Sequence, residues 1–211
     1  MHIPDGFLTP PVWGTMDVFS GAFLASALRR VGRQVEENAI PLMGVLSAFV
    51  FAAQMINLPI AGGTSAHFLG AALVGILLGP WAGLTVIAVV LLVQCILFQD
   101  GGAAALGANL FDMGIIGSMG SYYAYQALAL TIRGPRSVFW AGFWASWITV
   151  FVSSLSCAAM LAISGVVSWK LGLWVISGVH AVLGLLEGIV TGTVLQAISR
   201  ARPDLFDRPK I

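Results

Sequence analysis

Apolar residues recur along this chain in long segments, separated by short polar or glycine-rich connections. The third and fourth segments are short and meet at Gly79-Pro80, where the proline ends one helix and fits the first turn of the next. The apolar pattern predicts an all-α fold of seven helices, over residues 16–31, 40–57, 66–79, 81–99, 109–132, 138–163 and 173–199.

Composition indicates that lipid surrounds these helices. Hydrophobic residues make up 58% of the 211 residues and charged residues only 9%, against about 25% in soluble domains. In a bilayer the backbone must satisfy its own hydrogen bonds, which helices do. We therefore predict one integral membrane domain over residues 1–211, a polytopic bundle of about seven transmembrane helices. No basic run interleaved with aromatic residues is present, so we expect no nucleic-acid partner.

The basic residues indicate how the bundle is oriented. If the amino terminus is outside, nine of the ten Lys and Arg residues are cytoplasmic and only Lys170 is not, as the positive-inside rule favours. This orientation predicts an extracytoplasmic amino-terminal segment, residues 1–15, which lacks the features of a signal peptide, and a short cytoplasmic tail, residues 200–211. The nine residues are Arg29, Arg30, Arg33, Arg133, Arg136, Arg200, Arg202, Arg208 and Lys210.

Two of the three histidines, His2 and His67, fall on the predicted outer face. The Met1 amine, the His2 backbone nitrogen and the His2 imidazole can close five- and six-membered chelate rings around one metal ion. His67 can supply a fourth nitrogen. Four nitrogens in a plane suit Ni(II), Cu(II) or low-spin Co(II), and suit Zn(II), Ca(II) or Mg(II) poorly. The spacing alone leaves another interpretation open, in which His2 is an exposed residue and His67 lies beside a helix N-cap.

Three stretches carry a resemblance to a known family: MHIPDGFL at the amino terminus, GGTSAHFLGAALVGILLGPWAG around His67, and FQDGGAAALGANLFDM. They resemble the CbiM/NikM family, the substrate-binding (S) components of energy-coupling-factor (ECF) importers for cobalt and nickel. The resemblance is specific over residues 1–125 and weaker beyond them.

This resemblance implies that Met1, His2 and His67 bind the metal in a plane, with Ni(2+) or Co(2+) as the transported substrate. It implies a seven-helix bundle in a prokaryotic cell (inner) membrane, with the amino terminus inserted into the outer mouth of the bundle. It also implies partners, namely a transmembrane scaffold (T) component, P-loop ATPase subunits and a candidate small accessory membrane subunit. A link to cobalamin biosynthesis follows from the same family.

Asn109 and Asp112 lie near the predicted start of the fifth helix, and two roles stay open for them. They can orient a metal-binding imidazole by a hydrogen bond without binding the metal themselves, or they can cap that helix. Asp5 and Asp17 are predicted to be a turn residue and a helix cap. The stretch Gly62–Ser65 (GGTS) is either a hinge over the site or an ordered turn.

His180 and Glu187 lie seven residues apart on one face of the last helix, beside Gly184, Gly188 and Gly192. Ionisable residues inside a membrane are costly and often functional, so a proton path is one interpretation. The other, which we favour, is a close helix contact at the glycines, with His180 and Glu187 hydrogen-bonded to neighbouring groups.

The preferred function is the metal-capturing component of an ATP-dependent importer, with a slight preference for nickel from the residues around His67. No P-loop motif occurs, so separate ATPase chains are needed. No nucleophile–base pair or paired carboxylates are seen, so we expect no enzyme. The alternatives are a secondary transporter that couples metal to protons through Glu187 and His180, and a membrane metal sensor or metalloenzyme.

Overall fold

The computed structural model of the protein describes residues 1–59, 65–207 and 210–211. Seven main helices occur in these ranges, in the predicted order, and they confirm the predicted helical fold. A short helix α8, Asp204–Asp207, follows the seventh. The seven are α1 Pro10–Gln34, α2 Ile40–Gln54, α3 Ala71–Leu78, α4 Pro80–Phe98, α5 over residues 106–131, α6 Ser137–Ile163 and α7 Trp169–Ala201.

The helices differ in how far they reach across a membrane. Among those described, α4, α6 and α7 are long and apolar enough to cross a bilayer by length and composition alone. Helix α3 has only eight residues, about 12 Å of rise, where a span needs about 20 residues. The number and order of the helices agree with the prediction. Helix α3 is shorter than predicted, and it begins inside the bundle rather than at its outer face.

The segment before α3 is extended and not helical. Strands β1, Asn57–Pro59, and β2, Ser65–His67, pair antiparallel, with Asn57 opposite His67. Gly70 then adopts a φ of +66°, a left-handed conformation that favours glycine and separates the strand from the helix. The prediction of a helix from residue 66 is therefore wrong at its start. Of the predicted GGTS hinge only Ser65 is described, in β2, and Gly62–Thr64 lie outside the described residues.

Helix α1 begins at Pro10 rather than at residue 16, because prolines are tolerated in a first turn, where backbone N–H groups lack helical partners. The non-helical amino-terminal segment is thus residues 1–9. Asp17 lies inside α1 and does not cap it. Its Oδ1 instead accepts the N–H of Gly107 at 2.8 Å, one of the unpaired donors in the first turn of α5.

Helix α5 begins at Leu106, three residues before the predicted start, and includes a π-helical stretch, Phe111–Gly120. Asn109 and Asp112 therefore lie within the helix. The interpretation that Asn109 caps α5 is wrong, because the cap position is occupied by Ala105.

The glycines of α7 pack against α6. A Cβ at Gly192 would lie 2.6 Å from the carbonyl oxygen of Phe139, and one at Gly188 would lie 2.9 Å from that of Phe143. These are the close helix contacts that the packing interpretation predicts for the glycine stripe. Side chains larger than hydrogen at these positions would therefore push α7 away from α6.

The carboxyl-terminal residues lie on the α3–α4 turn, at the end of the bundle opposite Met1. The carbonyl oxygen of Ile211 accepts the N–H groups of Trp81 and Ala82 at 2.9 and 3.1 Å. The guanidinium of Arg30 lies 4.3 Å from the centre of the Trp81 ring. Arg30 and Lys210, both predicted to be cytoplasmic, therefore lie at this end of the bundle. Arg208 lies outside the described ranges.

Candidate metal centre

The amino-terminal segment is inserted into the bundle. Met1, His2 and Ile3 are all buried, with exposed fractions of 0%, 3% and 0%. The Ile3 N–H donates to Oδ1 of Asn109 at 2.8 Å, and the Ile3 carbonyl accepts from Nδ2 of Asn109 at 3.1 Å. Asn109 therefore fixes the backbone next to His2 and does not contact an imidazole through these bonds.

The loop between α4 and α5 also holds the segment. The carboxylate of Asp5 accepts the N–H groups of Ala103 and Ala104 at 3.0 and 2.8 Å. Gly101, with a φ of +89°, leaves room for His2, since a Cβ there would lie 3.3 Å from Cδ2 of the imidazole. The segment is thus held on two sides, by helix α5 and by this loop.

The Met1 amine meets His67 inside the bundle. Its nitrogen lies 2.6 Å from Nε2 of His67, although 66 residues separate the two in sequence. Nδ1 of His67 lies 3.0 Å from the carbonyl oxygen of Phe68, which requires the proton on Nδ1 and leaves the Nε2 lone pair facing the amine. At a metal–nitrogen distance of about 2.0 Å, neighbouring ligands in a square plane lie about 2.8 Å apart. The observed pair is close to that spacing.

The His2 imidazole lies beside Gln94 and Asp100. Nε2 lies 3.2 Å from Oε1 of Gln94, and in the tautomer with the ring proton on Nε2 it donates to that oxygen and leaves the lone pair on Nδ1. Nδ1, which would close the predicted six-membered ring with the His2 backbone nitrogen, lies 3.4 Å from Oδ1 of Asp100. The His2 ring stacks on His67 with centroids 4.6 Å apart, so the ring would have to turn for both imidazoles to bind one metal ion in a plane.

Burial keeps these nitrogens neutral. It lowers the pKa of the Met1 amine from 8.0 to about 5. Burial, with a further contribution from the nearby amine, lowers the pKa of His2 to about 3 and that of His67 well below its usual range. At neutral pH all three groups therefore carry the lone pairs that a metal ion would use.

Asp112 is buried in α5, but it does not orient His67. Both ring nitrogens of His67 are engaged by Met1 and Phe68. Within the described ranges no group of three or more His, Cys, Asp or Glu side chains is placed to hold a metal. The groups that the fold brings together at this position are the Met1 amine and the imidazoles of His2 and His67.

Comparison with known proteins assigns the chain to a family. The sequence model of the family CbiM, described as cobalt uptake substrate-specific transmembrane region, matches residues 2–205. The chain belongs to this family. Membership makes it a substrate-specific transmembrane component of metal uptake, and the predicted multi-pass membrane placement is confirmed.

Individual relatives agree with this assignment. A putative fused nickel transport protein NikMN of Archaeoglobus fulgidus is 43% identical over 99% of this chain and 68% of its own length. A cobalt transport protein CbiM of Sorangium cellulosum is 32% identical over 100% of this chain and 96% of its own. A crystal structure of a truncated transition metal transporter matches with a TM-score of 0.88 and 30% identity, over 95% of this chain and 99% of that one. These are transport proteins and not enzymes, as expected for this chain.

Sequence reasoning missed two residues that contact His2, namely Gln94 and Asp100. The sequence did offer a signal for Gln94, which is a single amide side chain within an apolar helix. Burying such a side chain costs free energy unless it is hydrogen-bonded, so a buried partner could have been expected. Asp100 offered no such signal, since an aspartate in a glycine-rich loop is ordinary.

Proposed function

We propose that this chain captures Ni(II) or Co(II) for an ATP-dependent importer of the ECF type, with Met1, His2 and His67 as the ligands. The observation that carries the proposal is the 2.6 Å contact between the Met1 amine and Nε2 of His67, in a buried site where the two imidazoles lie against each other. The fourth nitrogen is the backbone amide of His2, which loses its proton on binding.

Charge and ligand type support a late transition metal. A planar set of four nitrogens suits Ni(II) and low-spin Co(II) and disfavours Ca(II) or Mg(II), which prefer oxygen. The carboxylate of Asp100, beside Nδ1 of His2, adds a negative charge close to the bound cation. Affinity alone would favour Cu(II), so availability in the cell and the shape of the site must select the cargo.

The relatives support a preference for nickel. The Archaeoglobus protein named for nickel is 43% identical, and one from Rhodobacter capsulatus is 39% identical over 77% of this chain. The Sorangium protein named for cobalt is 32% identical. Nickel is therefore our first choice and cobalt our second.

Calorimetry on the metal-free protein tests the capture step. We expect Ni(II) and Co(II) to bind tightly with net release of protons, because the His2 amide must ionise, and affinity to fall as pH falls. Titrations in two buffers of different ionisation enthalpy measure the released protons. Equal affinity for Ca(II), or tight Ni(II) binding without proton release, would contradict the planar set.

The importer partners are the second part of the proposal. The chain has no P-loop, so ATP hydrolysis must come from other subunits. Small residues of α1, Gly21, Ala22 and Ala25, are exposed on the bundle surface, where another membrane helix can approach closely. This face is our candidate contact for the scaffold (T) component.

Uptake of radioactive nickel in cells without their own importer tests the coupling. We expect transport only when this chain is produced with a scaffold component and ATPase subunits, and loss of transport when the P-loop lysine of the ATPase is replaced. Uptake by this chain alone, abolished by a protonophore, would favour the secondary transporter that uses Glu187 and His180.

A further inference from the structure

Glu187 of α7 is buried and holds the backbone just after His67. Its exposed fraction is 1%. Oε2 accepts the N–H of Leu69 at 2.9 Å, and Oε1 accepts the N–H of Gly70 at 3.1 Å. Both carboxylate oxygens thus bind the main chain between β2 and α3, 117 and 118 residues away in sequence.

One of these bonds belongs to the peptide unit that also holds the His67 ring. The N–H of Leu69 and the carbonyl of Phe68 are the two ends of one planar amide. The N–H end donates to Glu187, and the carbonyl end accepts from Nδ1 of His67 at 3.0 Å. A continuous hydrogen-bonded chain therefore runs from the carboxylate, through the amide and the imidazole, to the Met1 amine.

We propose that Glu187 is a positioning residue for His67, which acts through the Phe68–Leu69 amide to fix the imidazole and strengthen Nε2 as a metal ligand. Metal-binding histidines commonly donate their second N–H to a carboxylate or carbonyl, which sets the tautomer and raises ligand basicity. Here the carboxylate polarises the carbonyl through the peptide unit, because hydrogen bonds in a chain reinforce one another in a low-dielectric interior. The inference rests on the proposed role of His67 as a ligand.

A second side chain, that of Gln54, also hydrogen-bonds to the backbone between β2 and α3, and it provides a matched control. Gln54 of α2 donates from Nε2 to the carbonyl oxygen of Leu69 at 2.7 Å. This bond also anchors the segment between β2 and α3, but it joins the following peptide unit and not the one that holds His67. Loss of Gln54 therefore loosens the segment without breaking the connection to the imidazole.

The experiment compares Glu187→Gln and Gln54→Leu with the unmodified protein, in full-length purified form. Competition with a chelator gives Ni(II) affinity, and the ligand-field absorption band at metal saturation reports the donor strength of the nitrogens. We expect Glu187→Gln to weaken Ni(II) binding about 10- to 100-fold, as is usual when a group that supports a metal ligand through hydrogen bonds is lost. The absorption band should move to longer wavelength, because a less basic Nε2 gives a weaker ligand field. In Gln54→Leu the band should stay in place.

The outcomes separate this inference from the proposed function. If the unmodified protein binds no Ni(II), the proposed function fails. Wild-type affinity and band position in Glu187→Gln would overturn the inference, as would weaker binding with an unmoved band, since that is loss of an anchor only. If Glu187→Gln does not fold, Glu187→Asp retains the charge but withdraws it by one methylene. It should shift the band in the same direction, and an unshifted band would again overturn the inference.

Discussion

A short peptide added before Met1 is expected to abolish retention of nickel and cobalt while the helical bundle still folds. The added bond turns the Met1 amine, one of the proposed ligands, into an amide that must lose its own proton before it can bind a metal ion. Because Met1 is fully buried against His67, the added residues must also displace residues 1–3 from the bundle. We expect Ni(II) affinity to fall by more than about 100-fold, which exceeds the usual loss when only a group hydrogen-bonded to a metal ligand is removed.

The control places the same peptide elsewhere in the chain. Gly134, between α5 and α6, lies in an exposed turn with open space around its Cα, at the end of the bundle away from Met1. An insertion there should leave metal content unchanged, and so should an extension after Ile211 at the same end. The nickel and cobalt content of the three purified forms is then measured. Intact-mass measurement checks that each form carries the intended amino terminus. Equal metal content in all forms would mean that the amine is not a ligand.

Replacing His67 with alanine is expected to abolish tight metal binding without unfolding the protein. The change removes one corner of the proposed plane and leaves three nitrogens that cannot complete it. Gln54 and Glu187 still hold the backbone after β2, so the segment should keep its conformation. Calorimetry with Ni(II) measures the binding, and thermal unfolding of the metal-free protein checks the fold.

His180→Ala is the matched control for this variant. His180 is also a fully buried imidazole, and its Nδ1 donates to the carbonyl oxygen of Ile176 at 2.8 Å within α7. It lies outside the proposed plane, so its loss should lower the free energy of unfolding by a similar amount and leave Ni(II) affinity close to that of the unmodified protein. If the two variants lose affinity equally, His67 has no special role in binding.

Helices were predictable because their signals are local. Runs of apolar residues, and the proline after Gly79, fixed the number and order of helices α1 to α7. Their ends were less predictable, since neighbours decide them. Asp17 illustrates this, because it looks like a cap for its own helix but binds an N–H of α5. The strand at His67 depends on pairing with Asn57, a contact that no single segment reveals.

The candidate site divides in the same way. Met1 and His2 are adjacent, so their chelate rings follow from covalent geometry and could be predicted from the sequence as a metal-binding hypothesis. Whether His67 reaches the amine is a question of packing, and only the folded chain brings them to 2.6 Å. The groups that hold the two imidazoles, Gln94 and the Phe68–Leu69 amide with Glu187 behind it, come from different helices. Burial removes water from these polar groups, so each must find a partner within the protein. The tertiary structure alone decides which partner that is.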